Sequence, residues 1–280
     1  DHVSVCPVIE RVAATRATRR PGRLQLTFAC ELGAERLTAL VADATVLDAL
    51  RRLGARVTLM LSDFSPARAD AVRALNAARV PVVGIPLMPY EDGYYFTIDN
   101  ASRALARYDE WRSWTARHGL VWAGVGLDIE PEARVYEQIM RNPWGLLPML
   151  GPRLFAGRRL REAQVAYTAL VNRIRADGYR VENYQFPLIT DERRAGSTLL
   201  QRLLGLVDVA TDREVWMLYS SVMRRIGAAL LWVYGAEATA IAVGTTGGGP
   251  DIPGHPQVPA LGWDEFTRDL ALASRWTNDS

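Results

Sequence analysis

The sequence predicts an α/β protein folded as a (β/α)8 TIM barrel, a single domain over residues 1–280 with its first β-α unit at about 2–20. Three observations carry this prediction. Short β-rich runs alternate along the chain with longer runs of helical period, the pattern of parallel strands joined by helices. The alternation repeats eight times, the number that closes such a barrel. No Gly-rich phosphate turn comes after an early strand, as a doubly wound open sheet would require.

Taken in order, His2 to Val8 reads as a strand and Glu10 to Arg20 as a helix, stopped at Pro21-Gly22 before the strand Leu24 to Cys30. A single helix is expected from Glu35 to Leu53, with Gly54 as a left-handed cap. Arg56 to Ser62 is a strand, and Pro66 opens a helix to about Arg79, its missing N–H costing nothing in the first turn. The strand Val80 to Leu87 leads into a polar and aromatic loop, Pro89 to Tyr95. Asp99 or Asn100 is placed to cap the helix carrying Tyr108, Trp111 and Trp114, which ends at Gly119. Val121 to Glu130 is strand, and Pro131 to Gly157 is expected to be irregular because of Pro143, Pro148 and Pro152.

The pattern resumes with a helix from Arg161 to Asp177, a strand at Val181 to Pro187 and a helix around Ser197 to Leu204. A strand ends at Met217 to Ser220. Val207 to Ala210 is not given a strand of its own, because parallel neighbours need a crossover of a dozen or more residues and Thr211 to Glu214 is too short. A helix from Val222 to Ala236, a strand at Thr239 to Gly244, a Gly/Pro-rich loop from Gly247 to Pro259 and a helix from Trp263 to Trp276 complete the chain. Trp111, Trp114 and Trp232 sit at helical spacing and are expected in the core.

Composition narrows the chemistry. All 33 Lys+Arg residues are arginine, so mechanisms needing a primary side-chain amine are excluded, Schiff-base aldolases and pyridoxal phosphate enzymes among them. With 49% hydrophobic and 23% charged residues the chain can bury a full core. The net charge of +2 comes from scattered arginines balanced by acids, so no nucleic-acid partner is expected. Cys6 and Cys30 are too few for a disulfide framework or a zinc cluster; one bridge and two free thiols stay equally open. No stretch reads as a signal peptide. The longest apolar run, Ala228 to Val243, is interrupted by Glu237 and too short to span a bilayer. Localisation is not written in the sequence, with a secreted or surface location favoured; the oligomeric state is not specified either.

In a barrel of this kind the chemistry lies at the C-terminal ends of the strands. Val121 to Glu132 is apolar until Asp128, Glu130 and Glu132 appear at every second position, so all three carboxylates point to one face of an extended strand. Gly124 and Gly126 fall on that face and are expected to leave room beside the acids. Crowded carboxyls raise one another's pKa, which keeps one protonated as a general acid while a neighbour stays anionic. In the loop after the strand Val80 to Leu87, Tyr90, Glu91, Asp92 and Tyr95 suit a sugar subsite, rings for apolar sugar faces and carboxylates for hydroxyls. Tyr184 and Gln185 end another strand and only one of them should face inward; Gln185 is taken as a polar substrate contact. His2, His118 and His255 do not lie at strand ends, so no metal and no cofactor are expected, and no Gly-x-Ser-x-Gly elbow supports a serine triad.

Val125-Gly-Leu-Asp-Ile-Glu-Pro-Glu132 resembles the D-G-L-D-I-D-W-E signature of family 18 glycoside hydrolases, the chitinase-like barrels, and Met217-Leu-Tyr219-Ser220 is similar to their M-x-Y-D strand end. The resemblance implies Glu132 as proton donor, Glu130 and Tyr219 as contacts to a substrate acetamido group, and Asp128 as the supporting inner carboxylate. Val125, Glu130, Pro131 and Ser220 depart from that signature. If Pro131 ends the strand, an Asp128/Glu130 pair similar to the D-x-E of other barrel glycosidases places the acid on Glu130. A third version, Glu130-Pro131 as the Asn-Glu-Pro end of retaining barrel glycosidases, lacks a Glu at the end of the strand closing at Ser220. The expectation is a glycoside hydrolase acting on a carbohydrate. The alternatives are a barrel that binds glycan without cleaving it and a sugar isomerase-like enzyme.

Overall fold

The computed structural model describes residues 24–132, 147–223, 226–247 and 259–279. The expected first β-α unit at 2–20, His2, Cys6, residues 133–146 and most of the 247–259 loop, with Asp251 and His255, lie outside the described residues. The rest is α/β, with seven strands among the described residues. They fall into two compact units, a larger one over Leu26–Glu214 and a smaller one made of Gln25 and the described parts of Val215–Gly249 and Val258–Ser280. No helix among the described residues is long and apolar enough to cross a membrane.

In the larger unit β1 (Thr27–Cys30), β2 (Arg56–Leu61), β3 (Val82–Pro86), β4 (Gly124–Asp128) and β5 (Val181–Gln185) lie side by side in sequence order, every pair parallel. Helices make the crossovers: α1 (Ala34–Ala42) and α2 (Ala44–Leu53), then α3 (Pro66–Ala77), α4 (Ala104–His118), and α5 (Leu147–Leu154) with α6 (Gly157–Ala176). After β5 come α7 (Leu188–Ala195) and α8 (Leu199–Leu204).

Local chemistry sets these boundaries, and three differ from expectation. The single helix from Glu35 to Leu53 is two, because Asp43 takes an extended conformation and its side chain accepts from the Thr45 N–H at 2.8 Å, capping α2. The Asp43 carboxyl is held below the usual range by those Thr45 hydrogen bonds. Residues expected to be irregular form α5, which tolerates Pro152 near its end. The segment after β5 carries α7 as well as α8, separated by Gly196 at φ 61. Ser65 caps α3 with Pro66 in the first turn, and Gly54 and Gly119 end α2 and α4 in left-handed conformations.

Alternation along the strands gives the sheet of the larger unit two different faces. Val57, Leu59, Leu61, Val82, Val125, Leu127 and Val181 pack into the helix-covered core, where Tyr108, Trp111, Trp114 and Trp122 form a run of ring contacts with centroids 5.4–6.1 Å apart. The opposite face carries Thr58, Val83, Ile85, Gly124, Gly126, Asp128, Glu182 and Tyr184. The space beside Gly126 is filled rather than open: a Cβ there would meet Ile85 Cγ1 at 2.4 Å and Tyr184 Cε2 at 3.5 Å. The expected room beside the acids is therefore taken by neighbouring strands. Two buried arginines bind strand-end carbonyls. Arg68 donates to Leu32 O and Met60 O, and Arg107 donates to Leu87 O at 2.6 Å and Ser62 O at 2.9 Å while lying over the Phe64 ring.

In the smaller unit, Val215–Met217 of β6 (Arg213–Met217) pairs in parallel with β7 (Ala240–Ala242). Between them lie α9 (Ser220–Met223) and α10 (Gly227–Tyr234), where one helix was expected, and α11 (Trp263–Ala273) comes last. The unit is tied by Asp269, fully buried, which accepts from Ser220 Oγ and from Arg268 Nε. Trp232, expected in the core, is 46% exposed and sets its ring edge-on to Trp276. Residues 207–210 form no strand of their own, and the strand that follows starts only at Arg213.

Gly126→Ala should lower stability by about 1–3 kcal/mol through overpacking against Ile85, seen as a lower urea midpoint at unchanged slope. The change should be tolerated if Ile85 is cut to Val in the same chain.

Candidate active site

At the C-terminal end of β4 the backbone carries the acids out of the sheet in a defined way. Asp128 ends the strand, Ile129 makes an isolated parallel bridge to Phe96, and the Glu130 N–H donates to Phe96 O at 3.0 Å. This keeps the chain extended, so Asp128 and Glu130 share a face. Both are buried, at 3% and 8% exposure. Burial first, then the Glu130 charge and hydrogen bond, then the Glu31 charge hold the Asp128 carboxyl well above the usual carboxylate range.

Glu31 has no counterpart in the sequence expectations. It comes directly after the last residue of β1, the position relative to its strand that made the acids after β4 conspicuous. Its carboxyl is pushed up to about 8 by burial, helped by the charge of Glu130 and opposed by hydrogen bonds from the Tyr94 and Tyr95 hydroxyls. A single acid after an apolar run is a weak signal alone, which is why it escaped notice; the signal that could have found it is a titratable residue just past a strand end. Its neighbour Cys30 is a free thiol, pushed up by burial.

The loop after β3 divides between surface and site. Tyr90 and Glu91 are exposed on a short 3-10 turn, and Asp92 forms a two-pronged ion pair with Arg103, one contact at 2.6 Å. Asp92 is held below its usual range by that pairing. Tyr94 and Tyr95 turn inward, both buried, with rings edge-to-face and centroids 5.0 Å apart. Tyr94 does so at φ 66, a left-handed conformation rare for a bulky residue and costing about 1–2 kcal/mol. Asn100 offsets that strain. Rather than capping a helix, its side chain donates to Asp92 O and Tyr95 O at 3.0 and 2.8 Å and accepts from Thr97 N–H at 2.8 Å. Tyr167, from α6, adds a hydrogen bond to Thr97 O at 2.7 Å.

Glu132 lies beyond Pro131, half-buried beside the turn at Gly93, where a Cβ would meet Glu132 Cγ at 3.4 Å. On β5, Tyr184 faces the same side as Asp128 and shares a hydrogen bond with Thr58 at 3.0 Å; burial pushes its hydroxyl up to about 12. Gln185 is buried on the other side of that strand with Asn183. Asn183 has no partner for either amide atom among the described residues. Below Tyr184, Glu182 is paired with both Arg56 and Arg213. Tyr219 belongs to the smaller unit, half-buried between β6 and α9. Among the described residues no group of three or more His, Cys, Asp or Glu is arranged to hold a metal ion.

No protein-family model matches the sequence, and no characterised protein matches it at the sequence level. Among solved structures, the chain is similar to the ligand-free alpha-N-acetylgalactosaminidase NagBb from Bifidobacterium bifidum. The TM-score is 0.41 and the identity 11% over 95% of this chain and 53% of that one, so the chain spans about half that protein's length. The chitinase-like resemblance therefore rests on the residues at 125–132 and 217–220.

Two outcomes test this geometry. Glu31 ionises near 8 when folded and near 4.5 when unfolded, so its contribution to stability is complete below about 4.5 and is lost as pH rises toward 8. Glu31→Gln has no such loss, so its Tm relative to wild type should rise between pH 5 and 8 and stay level above; a constant difference would contradict the raised carboxyl. Asn100→Ala leaves buried loop groups unpaired and should destabilise by about 2–3 kcal/mol in urea titration.

Proposed function

We propose that this chain is a glycoside hydrolase on a (β/α)8 barrel, with acid catalysis supplied by the carboxyls that end β4. The observation that carries the reading is the pair of buried carboxyls, Asp128 and Glu130, on one face at the end of β4. Burial and the charge of Glu130 raise the Asp128 carboxyl, so the pair keeps a proton where a solvated carboxylate would have lost it. Glu130, the farther along the chain and the less deeply buried, delivers that proton to the leaving glycosidic oxygen. Loss of that one proton leaves both carboxylates anionic, and together they face the positive charge developing on the sugar ring.

The pair counts as one proton-holding unit. Two acids on one face of one strand lie on the same side of a bound sugar, whereas a retaining or inverting hydrolase flanks the scissile bond with its two carboxylates. A partner on the other face of the sugar has to come from elsewhere, a substrate acetamido group in the chitinase-like version. The position of Glu132 beside Gly93 supports Glu130 rather than Glu132 as the acid. Tyr90 and Glu91, exposed on the loop after β3, are proposed as sugar contacts at the rim. The seven described strands, parallel wherever they pair, support the architectural half of the proposal.

A second reading, a barrel that binds glycan without cleaving it, draws on the same burial, since both acids are almost wholly covered at the end of β4. A panel of fluorogenic glycosides separates the two. Glu130→Gln and Asp128→Asn should each lower kcat by about a hundredfold or more on the glycoside that wild type cleaves, with Glu132→Gln within about threefold. Wild-type activity untouched by Glu130→Gln would sink the assignment. Saturable glycan binding with no hydrolysis of any substrate would establish the binder.

A further inference from the structure

We propose that the helix-covered side of β5 holds an internal water site, in which an ordered water bridges the side-chain amides of Asn183 and Gln185. The proposal stands apart from the functional reading above, and it moves Gln185 from the expected substrate contact to the inside of the protein.

Strand alternation makes the site. Asn183 and Gln185 are two positions apart on β5, so their side chains leave the same face, with Cα atoms roughly 6.5–7 Å apart. Asn183 pairs in register with Leu127, which puts both amides on the side that carries Val125, Leu127 and Val181. Tyr184, between them, points to the other side, where its hydroxyl meets Thr58. The helix α6 packs on β5 and brings an apolar surface, with Leu170 and Ile174 in the same core cluster as Leu127 and Val181. The Tyr167 hydroxyl, buried on α6, is already committed to Thr97 O and Asn100 Oδ1.

Neither Oδ1 nor Nδ2 of Asn183 has a hydrogen-bond partner among the described residues, nor has Nε2 of Gln185, yet the two residues are only 0% and 2% exposed. A buried amide without partners costs the full desolvation of each polar atom. Other buried polar side chains of the same unit are provided for. Glu192 accepts from the N–H groups of Leu200 and Gln201 at 2.6 and 3.1 Å, and Gln201 Oε1 accepts from the Asp208 N–H at 3.0 Å. Trp111 and Trp114 leave a single indole N–H each, whereas Asn183 and Gln185 together leave donors and an acceptor on one strand face. Internal waters typically make about three hydrogen bonds to such groups.

The chemistry of the pair selects water. Its oxygen accepts from Gln185 Nε2–H while one of its O–H groups donates to Asn183 Oδ1, joining two amides that do not bond directly; Asn183 Nδ2–H is left for a second water. An anion would leave Asn183 Oδ1 unpaired and a cation would leave the N–H groups unpaired, so the ligand has to donate and accept at once. The bridge ties the two positions that flank Tyr184, and so steadies the part of β5 that pairs with Asp128.

The test is water-to-amide NOESY and ROESY spectroscopy on the full chain, with the side-chain amides of Asn183 and Gln185 assigned in wild type. Cross peaks to water, opposite in sign between the two spectra, are expected on both amides and mark a water that stays through the tumbling of the protein. Amides with no such cross peak overturn the proposal. Urea titration gives a second reading. Asn183→Leu and Gln185→Leu should each lower the midpoint, and the double variant should lose less than the two losses together, because the first change already removes the bridge. A raised midpoint in Asn183→Leu overturns the proposal, since an orphan amide without water gains by replacement with an apolar group of similar size. Losses that simply add overturn the bridge as well.

Discussion

Two carboxyl groups buried side by side can both ionise only at a high cost, and in this protein Asp128 and Glu130 are both buried where β4 ends. Everything around the end of β4 is arranged for that condition. The strand stays extended through the Ile129–Phe96 bridge, which puts both acids on one side, and Ile85 and Tyr184 fill the space that Gly126 leaves. With solvent displaced by neighbours, charge on either carboxyl is costly and the shared proton is the cheaper solution.

The same face of the sheet shows why this is not a general property of buried acids in the chain. Glu182, two residues before Tyr184, is buried as deeply but is met by Arg56 and Arg213. The acid at the N-terminal side is neutralised by contact with guanidinium groups, whereas at the C-terminal side Asp128 and Glu130 meet each other. Tyr184 and Thr58 lie between them as a neutral layer. Arginine also does the structural work beside the site, where Arg68 and Arg107 satisfy strand-end carbonyls with planar forks that a single ammonium could not reproduce.

Much of this was legible in the sequence, for identifiable reasons. Strands and helices announced themselves by period, and Gly54, Gly119, Ser65 and Pro66 marked ends because their backbone preferences act locally. The shared face of Asp128 and Glu130 came from strand alternation alone. Features that escaped detection depended on distant partners or on a single side-chain contact. Asp43 read as one more helical residue until its cap to Thr45 divided the helix. Asn100 looked like a cap and is a staple for a loop that precedes it. Trp232 had helical spacing, yet its ring is nearly half exposed.

By itself, then, the sequence determined which chemistry is available here. A chain with 33 arginines and no lysine leaves proton transfer to carboxyls and tyrosines, and period-two spacing gathers two acids on one face of a strand. Only the tertiary structure decided which acids meet. Glu31 lies 97 positions before Asp128 in the sequence, and the order in which parallel strands pair brings the ends of β1 and β4 into one sheet. Local preferences act over a few residues and can be read along the chain. The proton affinity of a carboxyl depends on what surrounds it in space, and that is settled by packing.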